Sequence, residues 1–456
     1  MTFKNSVKAL PTILLHDLEA VSGFDKEAFI AAHQQQAVTS LRLHPLKQTG
    51  SYKDARKVPW CGEGRYLEQR PVFTLDPAYH GGAYYVQEAS SMFLDHMVRT
   101  VMPQRTNLRV LDLCGAPGGK STLLASLMEE GTLLISNEVI RSRATILEEN
   151  VVRWGYTNNW VTSNDPEVFG RLEGYFDLIV VDAPCSGSGL FRKDQKALED
   201  WTEANVHLCS QRQQRILADV WPSLKEGGVL IYATCSYSTE EDEEILDWLA
   251  RECHATTLSA EHPAEWGIVT TESKEGMKGY RFFPDKVGGE GFFIAAVRKD
   301  EVTRDLKYPR YKTIHDPKAK SQSAYLLQRD DLLVIPASKE SYHAIGPGHE
   351  ADWHLLQKQI YLRKTGLALG MGAAKEWLPA HDVALSVDRS INIPTLEVDR
   401  EPALRYLKKE DFVTDLETKG WQIVAHEGMG LGWIKGLGNR FNNYLPKHWR
   451  IRMDIE

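Results

Sequence analysis

The chain has 456 residues, 42% hydrophobic and 25% charged, with a formal net charge of −8. That length exceeds one ordinary core and predicts roughly three or four units. No apolar run approaches the roughly 20 residues of a membrane span, and the acidic total excludes a protein basic all over while leaving room for a local positive surface.

Met1 to Leu15 carries Lys4 and Lys8 and only a short apolar run before His16 and Asp17. It lacks a signal-peptide core and cleavage site, so a cytosolic chain is expected. The amphipathic spacing of Val7, Leu10, Ile13 and Leu14 opens a small helical and strand-containing unit, expected over residues 1–91. Residues 92–299 then alternate apolar runs with helical patterns, which predicts a doubly wound α/β sheet. Its strands are expected at Arg109–Leu113, Leu133–Asn137, Asn159–Ser163, Phe176–Val181 and Val229–Ala233, with Tyr280–Phe283 and Gly291–Val297 completing the sheet. One helix is expected over Arg141–Trp154. Another carries Leu217, Val220, Trp221 and Leu224 at i, i+3, i+4, i+7 and stops at Gly227-Gly228. Ser238 and Glu241 have capping-box spacing for the next helix. Residues 300–325 form a charged linker, with α+β units at 326–390 and 391–456.

The segment Asp112-Leu-Cys-Gly-Ala-Pro-Gly-Gly-Lys-Ser121 follows the first strand, so its glycines let the backbone turn tightly and approach a ligand. A phosphate-binding loop needs a glycine five residues before Gly119, and position 114 is Cys. A nucleoside-bearing methyl donor fits better, with Cys114, Gly115, Ala116, Pro117, Gly118, Gly119 and Lys120 forming its cradle. Glu138 after the second strand is placed for the ribose hydroxyls, Asp165 after the third for the adenine edge, and Asp182 closes the fourth beside the reacting centre.

Six cysteines occur without a CxxC pair, which indicates neither a zinc site nor a disulfide scaffold; no metal is expected, and free thiols fit a reducing compartment. Cys61, Cys209 and Cys253 read as small buried residues. Cys185 and Cys235 instead lie in loops of small and hydroxylated residues at strand ends. Near the C-terminus, Lys435, Arg440, Lys447, Arg450 and Arg452 are interleaved with Trp433, Phe441, Tyr444 and Trp449, with no acid from Gly428 to Met453. Two readings stay open there: an RNA-holding surface, or core aromatics ringed by solvated cations.

Four motifs, APGGKS, Asp182-Ala-Pro-Cys-Ser-Gly-Ser-Gly189, Phe191-Arg-Lys-Asp194 and Thr234-Cys-Ser-Tyr237, together resemble the Nol/Nop/Sun family of RNA cytosine-5 methyltransferases. Tyr84-Tyr-Val-Gln-Glu-Ala-Ser-Ser91 and Gly288-Gly-Glu-Gly-Phe-Phe293 extend the resemblance, and Asn442-Asn-Tyr-Leu-Pro-Lys-His-Trp449 is similar to its bacterial RsmF-type ribosomal RNA subgroup. The resemblance implies a Rossmann-like α/β core that uses S-adenosyl-L-methionine, flanked by small α+β RNA-binding domains, the last PUA-like. It implies Cys235 as the thiolate that adds to cytosine carbon 6, Cys185 as the residue that aids release, and Asp182 as a hydrogen-bond partner of the ring. Arg192 and Lys193 are expected to meet RNA phosphate or base. The partner implied is ribosomal RNA or the small subunit, with the cytosine flipped or single-stranded and a monomer the simpler expectation. DNA cytosine-5 enzymes take their nucleophile from a Pro-Cys pair, which Pro184-Cys185 would supply; the Thr-Cys-Ser-Tyr motif favours Cys235. Transfer RNA as substrate, a non-catalytic assembly factor and a nucleotide hydrolase are the rival functions. Gly115, where the family commonly has Ala, and Gln195, where Pro often follows the Arg-Lys-Asp triplet, depart from the pattern.

Overall fold

The computed structural model describes residues 9–47, 50–304, 306–314, 316–338, 340–372, 376–413, 419–438 and 440–454. Lys4, Val7 and Lys8 lie outside the described residues. Five parallel strands form the centre: β1 (Arg109–Asp112), β2 (Leu133–Asn137), β3 (Asn159–Thr162), β4 (Phe176–Asp182) and β5 (Leu224–Thr234), in the order β3-β2-β1-β4-β5. Alternation along these strands splits the core into two layers. Val110, Leu134, Leu178 and Val180 join one cluster, while Leu111, Ile135, Ile179 and Val181 join the other. Both faces are covered, which is why these strands read as apolar runs.

Beyond β5 the sheet turns antiparallel. β6 (Thr256–Leu258) and β8 (Lys278–Phe282) both pair with β9 (Phe292–Arg298), β9 pairs with β5, and β7 (Val269–Glu272) pairs with β8. The opposite edge is closed by β10 (Leu362–Lys364), a short strand from the C-terminal third that pairs antiparallel with β3. Helices α1 (Gly119–Leu127), α2 (Arg141–Trp154), α3 (Glu203–Val220) and α4 (Glu243–Cys253) pack on the sheet, and α5 (Glu350–Gln359) follows later in the chain. Gly155, at φ +87, ends α2 with a left-handed cap. The Thr202 hydroxyl opens α3 by accepting a hydrogen bond from the Asn205 amide at 3.1 Å.

Three sequence expectations need correction. The helix carrying Leu217 ends at Val220, because Pro222 turns the chain through Trp221–Ser223; Leu224 already opens β5, and Gly227 makes a positive-φ bend inside that strand. The capping box at Ser238 does not form. Glu241 turns inward, to Ser186, Ser236 and Gln213, and no side chain caps the short turn at Thr239–Glu241. The linker is shorter than expected: Asp316 caps a helix at Pro317–Ser323, whose Ala319 packs with Leu326, Val334 and Trp433.

The segment before the sheet opens with two short helices, Thr12–Leu18 and Lys26–His33, adds two more at Pro77–Gly81 and Phe93–Val101, and among the described residues has four strands, Lys57–Val58, Cys61–Leu67, Thr39–Leu43 and Tyr84–Tyr85. Its first two helices press Leu14, Leu15, Leu18 and Phe29 against Phe191, Tyr237 and Phe283, so they lie directly on the loops that carry the expected chemistry. Two four-stranded sheets follow the core. The last contains Thr395–Glu397, Lys419–His426, Met429–Leu437 and Phe441–Asn443.

Candidate active site

Strands β4 and β5 are parallel neighbours with Asp182 opposite Ala233, so the loops leaving their carboxyl ends emerge side by side. This brings Cys185 Sγ to 3.1 Å from Cys235 Sγ. The loops can approach because Gly189 has no side chain: a Cβ there would lie 2.4 Å from the Gly291 carbonyl oxygen and 2.8 Å from that of Cys235. The hydrogen bond to Cys235 and burial raise the Cys185 pKa well above the ordinary thiol range, and the Glu241 charge adds to them. Cys61, Cys209 and Cys253 are buried elsewhere.

The glycine loop after β1 turns into α1 at Gly118, which has φ +118, with a cis bond between Ala116 and Pro117. The Ala116 carbonyl accepts from Arg143 and the Pro117 carbonyl from Asn150, both on α2. Beneath it Asp112 is fully buried, and Ser121 Oγ donates to its Oδ2 at 2.5 Å while Oδ1 has no partner. Burial raises its pKa to about 7, though the Ser121 bond works against that. Gly115 faces the same pair; a Cβ would lie 2.8 Å from Ser121 Oγ and 3.1 Å from Asp112 Oδ2, so a side chain there would crowd their hydrogen bond. Lys120 Nζ lies 2.8 Å from Asp182 Oδ2. Burial opposes the lysine's charge, but the Asp182 and Asp112 carboxylates more than offset it and raise its pKa. A lysine so held is unavailable to a phosphate.

Leu113, Cys114, Ala116, Glu138, Asp165, Asp182, Cys185 and Cys235 line one cleft of about 390 Å³ at the carboxyl ends of β1 to β5. Glu138 is almost wholly buried, accepts from the Ile140 amide at 2.9 Å and has Arg143 at 3.4 Å. Asp165 caps the turn at Pro166–Phe169 through the Glu167 amide and stays exposed. Sequence reasoning missed Ile140, Arg143, Arg212 and Arg215, which also line the cleft. It also missed Gln213 and Glu241. Gln213 did leave a trace: Val206, Cys209, Ser210, Gln213, Ile216, Leu217 and Val220 form the buried face of α3, and Gln213 is the large polar side chain in that i, i+3, i+4 register.

The expected RNA-contacting residues divide. Arg192 is buried and forks onto Glu290, with Nε and Nη2 each 2.9 Å from a carboxylate oxygen, and also reaches the Gly289 carbonyl. It braces the loop after Cys185 and cannot also meet phosphate. Lys193 is exposed, 3.9 Å from Glu290. Arg440, Lys447 and Arg450 are exposed, whereas Lys435 is paired with Glu376 at 2.6 Å. Of the interleaved aromatics, Trp433 is core, its indole donating to the Ala380 carbonyl, and Phe441 packs on Phe412. Trp449 lies 5.1 Å from the Arg153 guanidinium on α2 and against His381. Of the four, Tyr444 alone is exposed, so most of this aromatic set builds the core and the domain contact.

A mixed sheet ordered in this way, with a glycine loop after β1 and acids at successive strand ends, defines a Rossmann-like methyltransferase. Comparison with known proteins agrees. The family model for 16S rRNA methyltransferase RsmB/F matches residues 99–298, that for the N-terminal domain of RsmF matches 10–89, and that for the RsmF PUA domain matches 393–451. Ribosomal RNA small subunit methyltransferase F of Psychromonas ingrahamii is 30% identical, with 92% of each chain covered, and that of Cronobacter sakazakii is 30% identical, with 93% of each covered. Among solved structures, a methyltransferase homolog from Pyrococcus horikoshii is 27% identical with a TM-score of 0.50, covering 64% of this chain and 100% of that one. The chain belongs to the RsmF family of 16S rRNA methyltransferases.

Proposed function

We propose that this protein transfers a methyl group from S-adenosyl-L-methionine to carbon 5 of a cytosine in small-subunit ribosomal RNA, through a covalent bond between Cys235 and carbon 6. The observation that carries this reading is the pair of sulfurs 3.1 Å apart at the mouth of a cleft lined by Glu138, Asp165 and Asp182.

The donor set suits the methyl donor. Glu138 and Asp165 offer carboxylate oxygens to ribose hydroxyls and to an adenine amine, and the loop from Cys114 to Gly119 brings backbone close to the remaining atoms. When bound, this cofactor supplies an electrophilic methyl on a sulfonium. Carbon 5 is too weak a nucleophile to take it unaided. Cys235 Sγ, as thiolate, adds to carbon 6 and pushes the ring's electron pair toward carbon 5. Asp182, held by Lys120, accepts a hydrogen bond from the ring's amine and orients the base for attack. After carbon 5 is methylated its proton passes to a solvent base, the C–H electron pair re-forms the ring double bond, and the carbon 6–sulfur bond breaks so that Cys235 departs as thiolate. Cys185, on the opposite wall of the pair, assists that release. Lys193, Arg440, Lys447 and Arg450 present cations to the RNA backbone, and binding weakens as salt rises.

The test is transfer of labelled methyl to small ribosomal subunits, naked ribosomal RNA and transfer RNA by the intact enzyme, Cys235→Ala and Cys185→Ala. Both variants lose activity, and a stable protein-RNA adduct accumulates only in Cys185→Ala. An adduct that requires Cys185 reverses the assignment. Calorimetry on the purified protein gives binding of S-adenosylmethionine and none of ATP.

A further inference from the structure

Beside the two cysteines lies a carboxylate that the mechanism above does not use. Glu241 is fully buried, and all of its side-chain partners are donors. Oε1 accepts from the Ser186 amide at 2.8 Å and from Gln213 Nε2 at 3.1 Å; Oε2 accepts from Ser186 Oγ at 2.5 Å and Ser236 Oγ at 2.6 Å. Ser186 follows Cys185 and Ser236 follows Cys235. One carboxylate thus grips the residue after each sulfur. Its own backbone is pinned by Tyr232, whose hydroxyl donates to the Glu241 carbonyl at 2.7 Å.

A buried charge is costly unless hydrogen-bonded, and apolar packing would hold a loop at less cost. What the carboxylate adds is reach: two oxygens that accept from two loops and from α3 at once, where one hydroxyl would serve fewer partners. Other direct ties between the loops are the Gly189 amide to the Cys235 carbonyl, the Tyr237 amide to Ser188 Oγ at 2.8 Å, Ser186 and Ser188 near Ser236, and the sulfurs themselves. Burial raises the Glu241 pKa above the ordinary carboxylate value, and the hydrogen bonds from Ser186, Ser236 and Gln213 work against that rise.

We propose that Glu241 is a positioning residue for the cysteine pair, tying the loop of Cys185 to the loop of Cys235 and so setting the sulfur-to-sulfur distance. The reaction uses that distance because one sulfur forms the bond to the base and the other assists its release. The assignment of the two roles rests on the function proposed above; the clamp itself rests on geometry alone.

The full chain is compared with Glu241→Ala and Glu241→Gln by two readouts. In the first, diamide takes one hydrogen from each thiol and is reduced to the hydrazine as the Cys185–Cys235 disulfide closes; the linked peptides are followed by mass spectrometry. Glu241→Ala slows closure by at least about tenfold, and Glu241→Gln, whose amide still spans both loops, stays within about threefold of the parent. In the second, Glu241→Ala lowers kcat for methyl transfer and leaves KM for RNA near its parent value, and Glu241→Gln restores most of kcat. Where Glu241→Ala does not fold, Ser186→Ala and Ser236→Ala each remove a clamp hydroxyl, and each slows closure. Unchanged closure in folded Glu241→Ala, or in both serine variants, overturns the proposal. Slowed closure in a protein that transfers no methyl group keeps the clamp and overturns the role given to the cysteines.

Discussion

Asp112 shows how much of the site is decided by a single side chain. Its position at the end of β1 was legible in the sequence, because an acid closing an apolar run before a glycine loop marks the edge of a ligand site. Its protonation was not, since that depends on complete burial and on an orphan Oδ1. Burial lifts its pKa to about 7 from an ordinary 3.8. The fold therefore favours the protonated form: this stabilising difference is whole below about pH 4 and is lost as pH rises through about 7. At about 1.4 kcal/mol per unit, the difference is roughly 4 kcal/mol. Asp112→Asn keeps an acceptor for Ser121 but has no proton to lose. In thermal or urea unfolding, the parent is expected to lose stability from pH 4 to pH 7 relative to the variant, whose own curve is flatter over that interval. Parallel curves for the two proteins would mean that Asp112 keeps an ordinary pKa in the fold. Arg192 makes the complementary point. Its loop was legible but its Glu290 partner, 98 residues away, was not.

Among the elements, the parallel strands were legible because burial on both faces leaves runs without polar interruption, and α2 was legible from Arg141 to its glycine stop. The strand Thr39–Leu43 shows why others were not. Alternation would send Ser40, Arg42 and His44 to solvent, yet all three are buried at a domain contact. Arg42 Nε donates to Gln87 Oε1 at 2.9 Å, and Nη2 donates to Thr122 Oγ1 at 2.6 Å and to the Gly119 carbonyl at 3.3 Å. Its guanidinium lies 4.5 Å from the Trp154 ring. Those partners are neutral, so burial lowers its pKa to about 10. The N-terminal sheet is thereby fastened to the first turn of α1 and to the end of α2, the two helices that brace the glycine loop. Arg42→Ala takes the guanidinium donors away from Gln87 Oε1 and Thr122 Oγ1 and leaves a void beside Trp154. It is expected to cost about 3 kcal/mol in urea unfolding and to weaken S-adenosylmethionine binding several-fold by calorimetry. Arg42→Lys does not rescue binding, because one ammonium cannot span acceptors on both sides of the contact. Binding at parent strength in folded Arg42→Ala would show that the loop is braced from within its own domain. The capping-box expectation at Ser238 failed for a related reason: spacing fits a cap, but buried donors on two loops compete for Glu241 and win.

At the scale of the whole molecule, the C-terminal third is tied to the methyltransferase sheet through a joint that local sequence did not reveal. β10 is three residues long and gains its meaning only from the open edge of β3. Beside it, Asp352 in the first turn of α5 meets Arg109 at the start of β1, with Nη2 2.7 Å and Nε 3.0 Å from its oxygens, while Tyr175 and Tyr308 donate to Oδ1 at 2.8 and 3.1 Å. The first turn of a helix also favours an anion. Burial pushes the Asp352 carboxyl up, but His349 and Arg109 outweigh it and bring the pKa to about 2. The sign is opposite to that of Asp112. A depressed carboxyl adds stability above its unfolded value near 4, and that stability is lost as pH falls from about 4 to about 2, about 2 kcal/mol in all. The parent should therefore show two limbs: a loss below pH 4 that involves the joint, and a loss between pH 4 and 7 that involves the cofactor loop. Asp352→Asn removes the acid limb alone and leaves the partly buried Arg109 without its counter-charge, which costs about 2 kcal/mol at neutral pH. Since the break lies between the sheet and α5, limited proteolysis of this variant should cut within residues 300–325 faster than in the parent. Hydrogen exchange should rise in β10 and α5 before it rises in β4. If instead exchange rises evenly across the sheet, the joint and the core unfold as one unit, and the C-terminal third is part of the methyltransferase fold rather than an appendage docked on it.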